Sequence, residues 1–196
     1  MGLGALLKQY ASTTSTSEPY EQWKAVNPSI SEVIPYLKKY AYRPFSTNQD
    51  SNTIDPRTYF YVRGFLHEHT GPLALIPTWV QNLTENRHLF DKLYRMPLNS
   101  NNVDLTVSSN MIYGLTAAVL GELEGTENWF DDTDLQMIYE NTSALMAWEI
   151  KRNFSNRMDL ALTYYPSEYS FYWFTARTVN LLNSANDLPH PVMMRV

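Results

Sequence analysis

The clearest pattern of hydrophobic and polar positions lies in the second half of the chain. Over Leu105–Leu123 apolar residues recur about every 3.6 positions, the spacing of one face of an α-helix. These residues are Val107, Met111, Leu115, Ala118, Val119 and Leu123. The opposite face carries the mostly small residues Ser108, Asn110, Gly114, Ala117 and Gly121. Because small side chains let a second helix approach closely, we expect this helix to be covered on more than one side.

A second helix is predicted to begin at a capping sequence. Thr133 and Gln136 are three residues apart and follow two aspartates, the spacing of a capping box in which both side chains satisfy free amides. An apolar stripe follows at intervals of three and four residues: Leu135, Ile138, Thr142, Leu145 and Trp148. Arg152 lies near the predicted end of this helix.

A third helix is predicted after Pro166, since proline is favoured in the first helical turn. Its apolar stripe consists of Tyr169, Tyr172 or Trp173, Ala176, Val179, and Leu182 or Asn183. Seven of the twelve residues in Thr163–Phe174 are aromatic. Such side chains can line pockets for sugars, sterols or cationic intermediates, but at helical spacing they more often fill a core. We therefore expect core packing here, with Arg177 stacking or pairing locally.

The first hundred residues are less regular. Helices are predicted at Pro19–Ala25, at Ser31–Tyr40 and, longer, at about Pro77–Tyr94. The aromatic run Thr58–Val62 is interpreted as an extended or short helical segment, because Pro56 and Gly64 bracket it.

Length and composition limit the domain organisation. The 196 residues are enough for one domain, and 44% of them are hydrophobic. A polar Ser/Thr run over residues 12–17 predicts a flexible N-terminal segment over residues 1–18, followed by a single helical domain over residues 19–196. The apolar ending Val192–Val196 suggests that the chain is a fragment of a longer protein.

Charge and cysteine content exclude several function classes. The chain has no cysteine, so disulfide scaffolds, thiol catalysis and cysteine-ligated zinc sites are excluded. The net charge of −5 argues against nucleic-acid binding. No window approaches the roughly 18 consecutive apolar residues that a membrane span requires, and no secretory leader is recognisable, so a cytoplasmic location is expected.

Acidic residues are concentrated between the first and second predicted helices. Seven of them lie between Gly121 and Glu140 without any lysine or arginine: Glu122, Glu124, Glu127, Asp131, Asp132, Asp134 and Glu140. Such a run can bind a cation or act as an acid/base site. Aspartates before a helix also interact favourably with its positive end, by a few tenths to about 1 kcal/mol each. We favour the second interpretation, a solvated loop next to a helix start.

His67-Glu68-His69 is the one cluster of common metal-ligand types. The two histidines would face the same side on a strand but diverge on a helix, and no third ligand is identifiable. We therefore interpret the cluster as an exposed polar hinge before Gly71-Pro72, and expect neither a metal site nor a cofactor.

Long helices with small faces, alternating with aromatic loops, resemble the α/α toroid of terpenoid cyclases and protein prenyltransferases. The resemblance covers about Asn101–Asn183. The segment Asn102–Thr106 is nearest to the Asp-x-Asp-Asp proton donor of class II cyclases but lacks its first and last acids. The segment Asp131–Leu135 is nearest to the Asp-Asp-x-x-Asp metal site of class I synthases, with Leu in place of the last Asp. The resemblance thus implies a mainly α fold of antiparallel helical hairpins, without the family's activity.

A closed toroid needs more than three long helices, so the resemblance implies an incomplete α/α toroid-like array with an open apolar edge. Such an edge would recruit a protein partner or a second copy of the chain. The first functional hypothesis is therefore a non-catalytic binding module. Its contact surface would combine the aromatic segment with the small face of the first helix, through Asn110, Tyr164, Tyr165, Tyr172, Trp173 and Arg177.

The second hypothesis is an enzyme on an (α/α) scaffold, either a cyclase or lyase or a glycoside-processing enzyme. Asp104 would be the general acid and Glu122, Asp131 or Asp132 the second carboxylate, because paired carboxylates can divide acid and base roles between them. Asp104 also directly precedes a predicted helix, however, which favours a capping role for it.

Overall fold

The computed structural model describes Ala25 and residues 32–123 and 125–196, apart from the side chain of Phe90. Eight α-helices lie wholly within these residues, and none of the residues described belongs to a β-strand. The helices are α1 (Val33–Tyr40), α2 (Gln49–Asn52), α3 (Pro56–Glu68), α4 (Leu83–Leu89), α5 (Leu105–Leu120), α6 (Thr133–Lys151), α7 (Met158–Ala161) and α8 (Glu168–Ser184). The predicted mainly α class is therefore confirmed, whereas the toroid arrangement stays a prediction.

Helix α5 is largely buried, since ten of its sixteen residues are buried. The helix is buried on more than one side, as predicted. Leu115 and Ala118 of the apolar face are buried, and so are Ser108 and Ala117 of the face of small residues. The helix packs along α8 and against α6. The periodicity of this segment therefore identified a largely buried helix, whose apolar residues join the main hydrophobic core.

Helix α6 follows the predicted stripe but begins differently from the predicted capping box. Leu135, Ile138, Thr142 and Leu145 are all buried, as expected. The N-cap is Asp132 and not Thr133, since Oδ1 of Asp132 accepts the amides of residues 134 and 135. A carboxylate satisfies two donors at once and carries the negative charge that a helix start favours. The Gln136 side chain does reach back toward the start of the helix. It donates to the carbonyl of Phe130, however, and does not accept a backbone amide as in a capping box.

Helix α8 starts where it was expected, with Ser167 as N-cap, yet the expected core stripe is wrong. Tyr169, Tyr172, Trp173 and Val179 are all exposed, whereas Phe171 and Thr178 are buried. Every side of this segment carries aromatic residues, so the period alone did not identify the side that packs on α5. The predicted core stripe is instead an outward-facing aromatic surface.

The first half of the chain differs most from the predictions. The predicted long helix at Pro77–Tyr94 is wrong: only α4 and a 3₁₀ turn over Phe90–Lys92 are helical there. In contrast, the segment interpreted as extended or short helical belongs to the 13-residue helix α3. Pro56 occupies the first turn of α3 and Asp55 caps it, so the proline starts a helix rather than interrupting one.

The remaining predictions for this half have mixed outcomes. The helix predicted at Ser31–Tyr40 is present as α1. The helix predicted at Pro19–Ala25 and the flexible segment over residues 1–18 lie outside the described residues, apart from the helical Ala25.

Gly64 lets α3 pack closely against α6. A Cβ atom at this position would lie 2.7 Å from Cη2 of Trp148, well inside contact distance. The indole cannot move away freely, because its Nε1 donates to Glu68 at 2.7 Å and its ring packs edge-on against Phe65. The close approach of the two helices therefore depends on the absence of a side chain at Gly64.

We expect Gly64→Ala to destabilise the protein by about 1–2 kcal/mol, because overpacking outweighs the roughly 1 kcal/mol that alanine contributes inside a helix. Urea unfolding measures the change. In a Trp148→Phe background the same substitution should be neutral or stabilising, which makes the pair a double-mutant cycle. A stabilising effect of Gly64→Ala in the wild-type background would contradict the prediction.

Candidate functional site

A buried polar junction precedes α5 and joins three parts of the fold. Asn101 accepts the amide of Trp79 through Oδ1 and donates through Nδ2 to the carbonyls of Trp79 and Gln81. Asn102 donates through Nδ2 to the Thr58 hydroxyl on α3 at 2.8 Å. These bonds hold residues 79–81 in a non-helical path, which explains why the helix predicted from Pro77 does not begin before Leu83.

Asp104 is the centre of this junction and is fully buried, with no exposed surface. Its Oδ1 accepts the amides of Thr106 at 2.9 Å and Val107 at 3.2 Å, so it is the N-cap of α5. Its Oδ2 accepts the amides of Tyr164 at 2.9 Å and Tyr165 at 3.4 Å. Burial raises the pKa of Asp104, although the four amides act in the opposite direction. Both carboxylate oxygens are thus engaged in structural hydrogen bonds, which favours the capping interpretation.

The aromatic residues after α7 are attached to this junction. Tyr164 packs edge-on against Trp79, with ring centroids 5.2 Å apart, and its hydroxyl accepts from Arg57 at 3.3 Å. Arg57 is in turn held by the buried carboxylate of Asp55. The Tyr165 carbonyl accepts from the Thr106 hydroxyl, whereas the Tyr165 side chain is exposed. The two neighbouring tyrosines therefore differ: Tyr164 braces the junction, and the side chain of Tyr165 faces solvent.

The other candidate carboxylates do not form a pair with Asp104. Helix α5 has 16 residues, so its N-cap Asp104 and the exposed Glu122 beyond its C-terminus lie at opposite ends, about 25 Å apart at 1.5 Å per residue. Asp131 is exposed in the turn before α6. Asp132 caps α6 and forms an ion pair with Lys38, which lowers its pKa despite partial burial. The arrangement matches the interpretation of a solvated loop with a helix cap.

A second buried acid, which the sequence pattern did not single out, lies on α6. Glu149 on α6 is only 4% exposed, and burial raises its pKa to about 8. Its Oε1 has no hydrogen-bond partner among the described residues. Tyr61 is close enough to both Glu149 and Asp104 for each carboxylate to raise its pKa, which burial already raises well above the usual value. The available signal was spacing, because Glu149 falls four residues after the buried Leu145 and continues the apolar stripe.

The exposed side of α8 carries two of the four predicted ligand-binding aromatics, Tyr172 and Trp173. We define the aromatic face of α8 as Tyr169, Tyr172, Trp173, Ala176 and Val179, all of which are exposed. The guanidinium of Arg177 lies 4.4 Å from the ring centroid of Trp173 and 4.2 Å from that of Tyr113, and it also donates to the Tyr113 hydroxyl. The predicted local stacking of Arg177 is confirmed. Asn110, in contrast, is exposed on α5.

The two histidines of the His67-Glu68-His69 cluster differ in backbone conformation. His67 is in the last turn of α3, and His69 is the residue after the helix, where its Nε2 lies 3.2 Å from the carbonyl of Pro72. The Glu68 carboxylate accepts hydrogen bonds from the indole of Trp148 and the guanidinium of Arg152. Within the described part of the chain, no three histidine, aspartate or glutamate side chains are grouped so that they could hold a metal ion.

Comparison of the chain with protein-family models, with curated proteins and with solved structures finds no match. Among the described helices, none combines the length and the hydrophobicity required to cross a lipid bilayer. A functional proposal therefore depends on the geometry of the chain itself.

Proposed function

We propose that this chain is a non-catalytic helical interaction module of the α/α-hairpin type and that it binds through the aromatic face of α8. One observation carries the proposal: three large aromatic side chains are exposed along one side of α8, with Tyr169 81%, Trp173 47% and Tyr172 41% exposed. Tyrosine and tryptophan are enriched in protein interfaces because they combine a large apolar area with a polar tip. Contiguous exposed apolar surface of this kind commonly marks an interaction site.

The aromatic face is also held in place before any partner binds. Arg177 lies between the rings of Trp173 and Tyr113, and Trp173 packs edge-on against Phe174 with centroids 4.9 Å apart. Tyr172 is packed against Phe154, with centroids 5.8 Å apart. Side chains that are already ordered lose less conformational entropy on binding, which favours a contact role for this surface.

A second copy of the chain is the occupant that this surface fits best. None of the five residues of the aromatic face carries a charge. The neighbouring cation Arg177 already lies against Trp173 and Tyr113, so two copies can place their uncharged rings against each other. Two-fold dimers use the same patch on both subunits, and an uncharged aromatic stripe along a helix is suited to such a contact.

Light scattering after size-exclusion chromatography tests the proposal directly. We expect the wild-type chain to have twice its 22.7 kDa mass at high micromolar concentration and to dissociate on dilution. The double variant Tyr169→Ser/Trp173→Ser should be a monomer with unchanged helical circular dichroism, because both side chains are exposed and surface substitutions change stability little.

The matched control is Tyr94→Ser, which removes an equally exposed tyrosine outside α8 and should leave the dimer intact. A wild-type chain that stays a compact monomer over the whole concentration range would contradict self-association. A dimer that persists in the double variant would place the contact on another surface.

A further inference from the structure

A groove that contains no residue of α8 combines aromatic and basic side chains. It has a volume of about 610 Å³ and lies between α3 and the connection from Tyr42 to Ile54. Volumes of this size are typical of small-molecule sites. Phe45, which is largely exposed, lines both this groove and a neighbouring one of about 630 Å³ that contains His69.

One face of α3 supplies the groove's chemistry. Tyr59, Arg63 and His67 follow one another at intervals of four residues, so they form a row on the same face of the helix. The row places an exposed aromatic ring, a guanidinium and an imidazole next to each other along one wall. Tyr42 and Phe45 belong to the opposite wall.

The lining of this groove contains no acidic residue among the described part of the chain. Arg63 forms no ion pair there either; its guanidinium lies 5.4 Å from the centroid of the Phe60 ring. The acids nearest to the groove in sequence are engaged elsewhere, because Asp55 binds Arg57 and Glu68 binds Arg152. The groove therefore presents one uncompensated cation beside aromatic surface.

We propose that this groove binds a small organic anion, an aromatic ring that bears a carboxylate or a phosphate group. The guanidinium of Arg63 and the imidazole of His67 receive the anionic group, since arginine donates paired hydrogen bonds to the planar fork of a carboxylate or to phosphate oxygens. The rings of Tyr59 and Phe45, which both line the groove, cover the apolar body of the ligand. The site is separate from the aromatic face of α8 and does not depend on the proposed function.

Histidine NMR with 1-naphthyl phosphate as the probe tests this site. The chain has four histidines, at positions 67, 69, 88 and 190, and a His67→Gln variant assigns the resonance of interest. We expect a saturable shift of the His67 imidazole signal on titration, with His88 and His190 unchanged. No saturable shift at millimolar probe concentration would overturn the proposal.

Variants then test whether Arg63 supplies the charge. Arg63→Gln should weaken binding of 1-naphthyl phosphate about tenfold, as expected for the loss of one charge-assisted hydrogen bond. Arg87→Gln, which removes an exposed arginine on α4, is the matched control and should leave the affinity unchanged. Equal affinities for wild type and Arg63→Gln would overturn the proposal.

Ligand fragments separate the two parts of the recognition. Inorganic phosphate alone and 1-naphthol alone should each bind at least tenfold more weakly than 1-naphthyl phosphate, because the first lacks the ring and the second lacks the charge. A parallel titration with 1-naphthoate distinguishes the two anionic groups: tighter binding of the naphthoate assigns the site to carboxylates, and tighter binding of the phosphate ester assigns it to phosphates. Equal binding of 1-naphthol would contradict a role for the anion.

Discussion

Replacing Asp104 by Asn is expected to lower the free energy of unfolding by about 2–3 kcal/mol. The wild-type carboxylate accepts four backbone amides, two at the start of α5 and two from Tyr164 and Tyr165. An asparagine side chain has one accepting oxygen, so its amide group must face one of these pairs of donors. A buried donor left without an acceptor costs about 1–3 kcal/mol. Urea unfolding at neutral pH measures the loss.

Asp132→Asn is the matched control for this substitution. Asp132 is also an N-cap that accepts two amides, at the start of α6, but it is only half-buried and its other oxygen binds Lys38. Its replacement should cost about 1 kcal/mol or less, because the asparagine oxygen still caps the helix and the freed lysine is solvated. Similar losses at both positions would contradict the role of Asp104 as a buried junction between α5 and Tyr164.

The same variant addresses the alternative hypothesis of an enzyme. A general acid can be neutralised without loss of stability only if its oxygens face a substrate site. All four amide contacts of Asp104 are internal. We therefore expect Asp104→Asn to lower the melting temperature, whether or not the chain has an activity to lose. A variant that kept its melting temperature but lost a defined activity would favour the enzyme hypothesis instead.

The long helices α5 and α6 could be predicted because their periodic patterns agree with local capping signals. Helix α5 carries no charged residue, and the sequence correctly indicated cover on more than one side. The start of α6 was predicted within one residue; the error arose because an aspartate and a threonine stand side by side, and either can cap a helix. Periodicity and capping residues determine these helices, and both features can be read from neighbouring positions in a single sequence.

The orientation of α8 and the path of residues 77–82 could not be predicted in the same way. Around α8 aromatic residues occur on every side, so the packing partner decides which side is buried, and that partner is α5. Residues 79–81 are held by Asn101, which is about twenty positions away in sequence. Long-range hydrogen bonds of this kind have no periodic signature. The four amides that engage Asp104 include two from Tyr164 and Tyr165, about sixty positions away, and these contacts have no periodic signature either.

A buried acid also predicts how stability depends on pH. Glu149 has a pKa of about 8 in the folded protein, against an ordinary value of 4.5, because burial disfavours its charged form. Between these two values the unfolded chain loses the proton and the folded chain retains it. The free energy of unfolding therefore falls as the pH rises through this range, by up to about 1.4 kcal/mol per pH unit. The stabilising contribution of the protonated Glu149 is complete only below pH 4.5.

We expect Glu149→Gln to remove this dependence, because glutamine is neutral at every pH. The variant should resemble the wild type near pH 4.5 and exceed it by roughly 2–3 kcal/mol at pH 7, after allowance for the buried amide group. Urea unfolding at several pH values between 4.5 and 8 measures the difference between the two proteins, which cancels the contribution of all other titrating groups. Glu127→Gln, at an exposed position, is the control and should leave the slope unchanged. Parallel pH profiles for wild type and Glu149→Gln would show that Glu149 is ionised in the folded protein, contrary to its burial beside Tyr61.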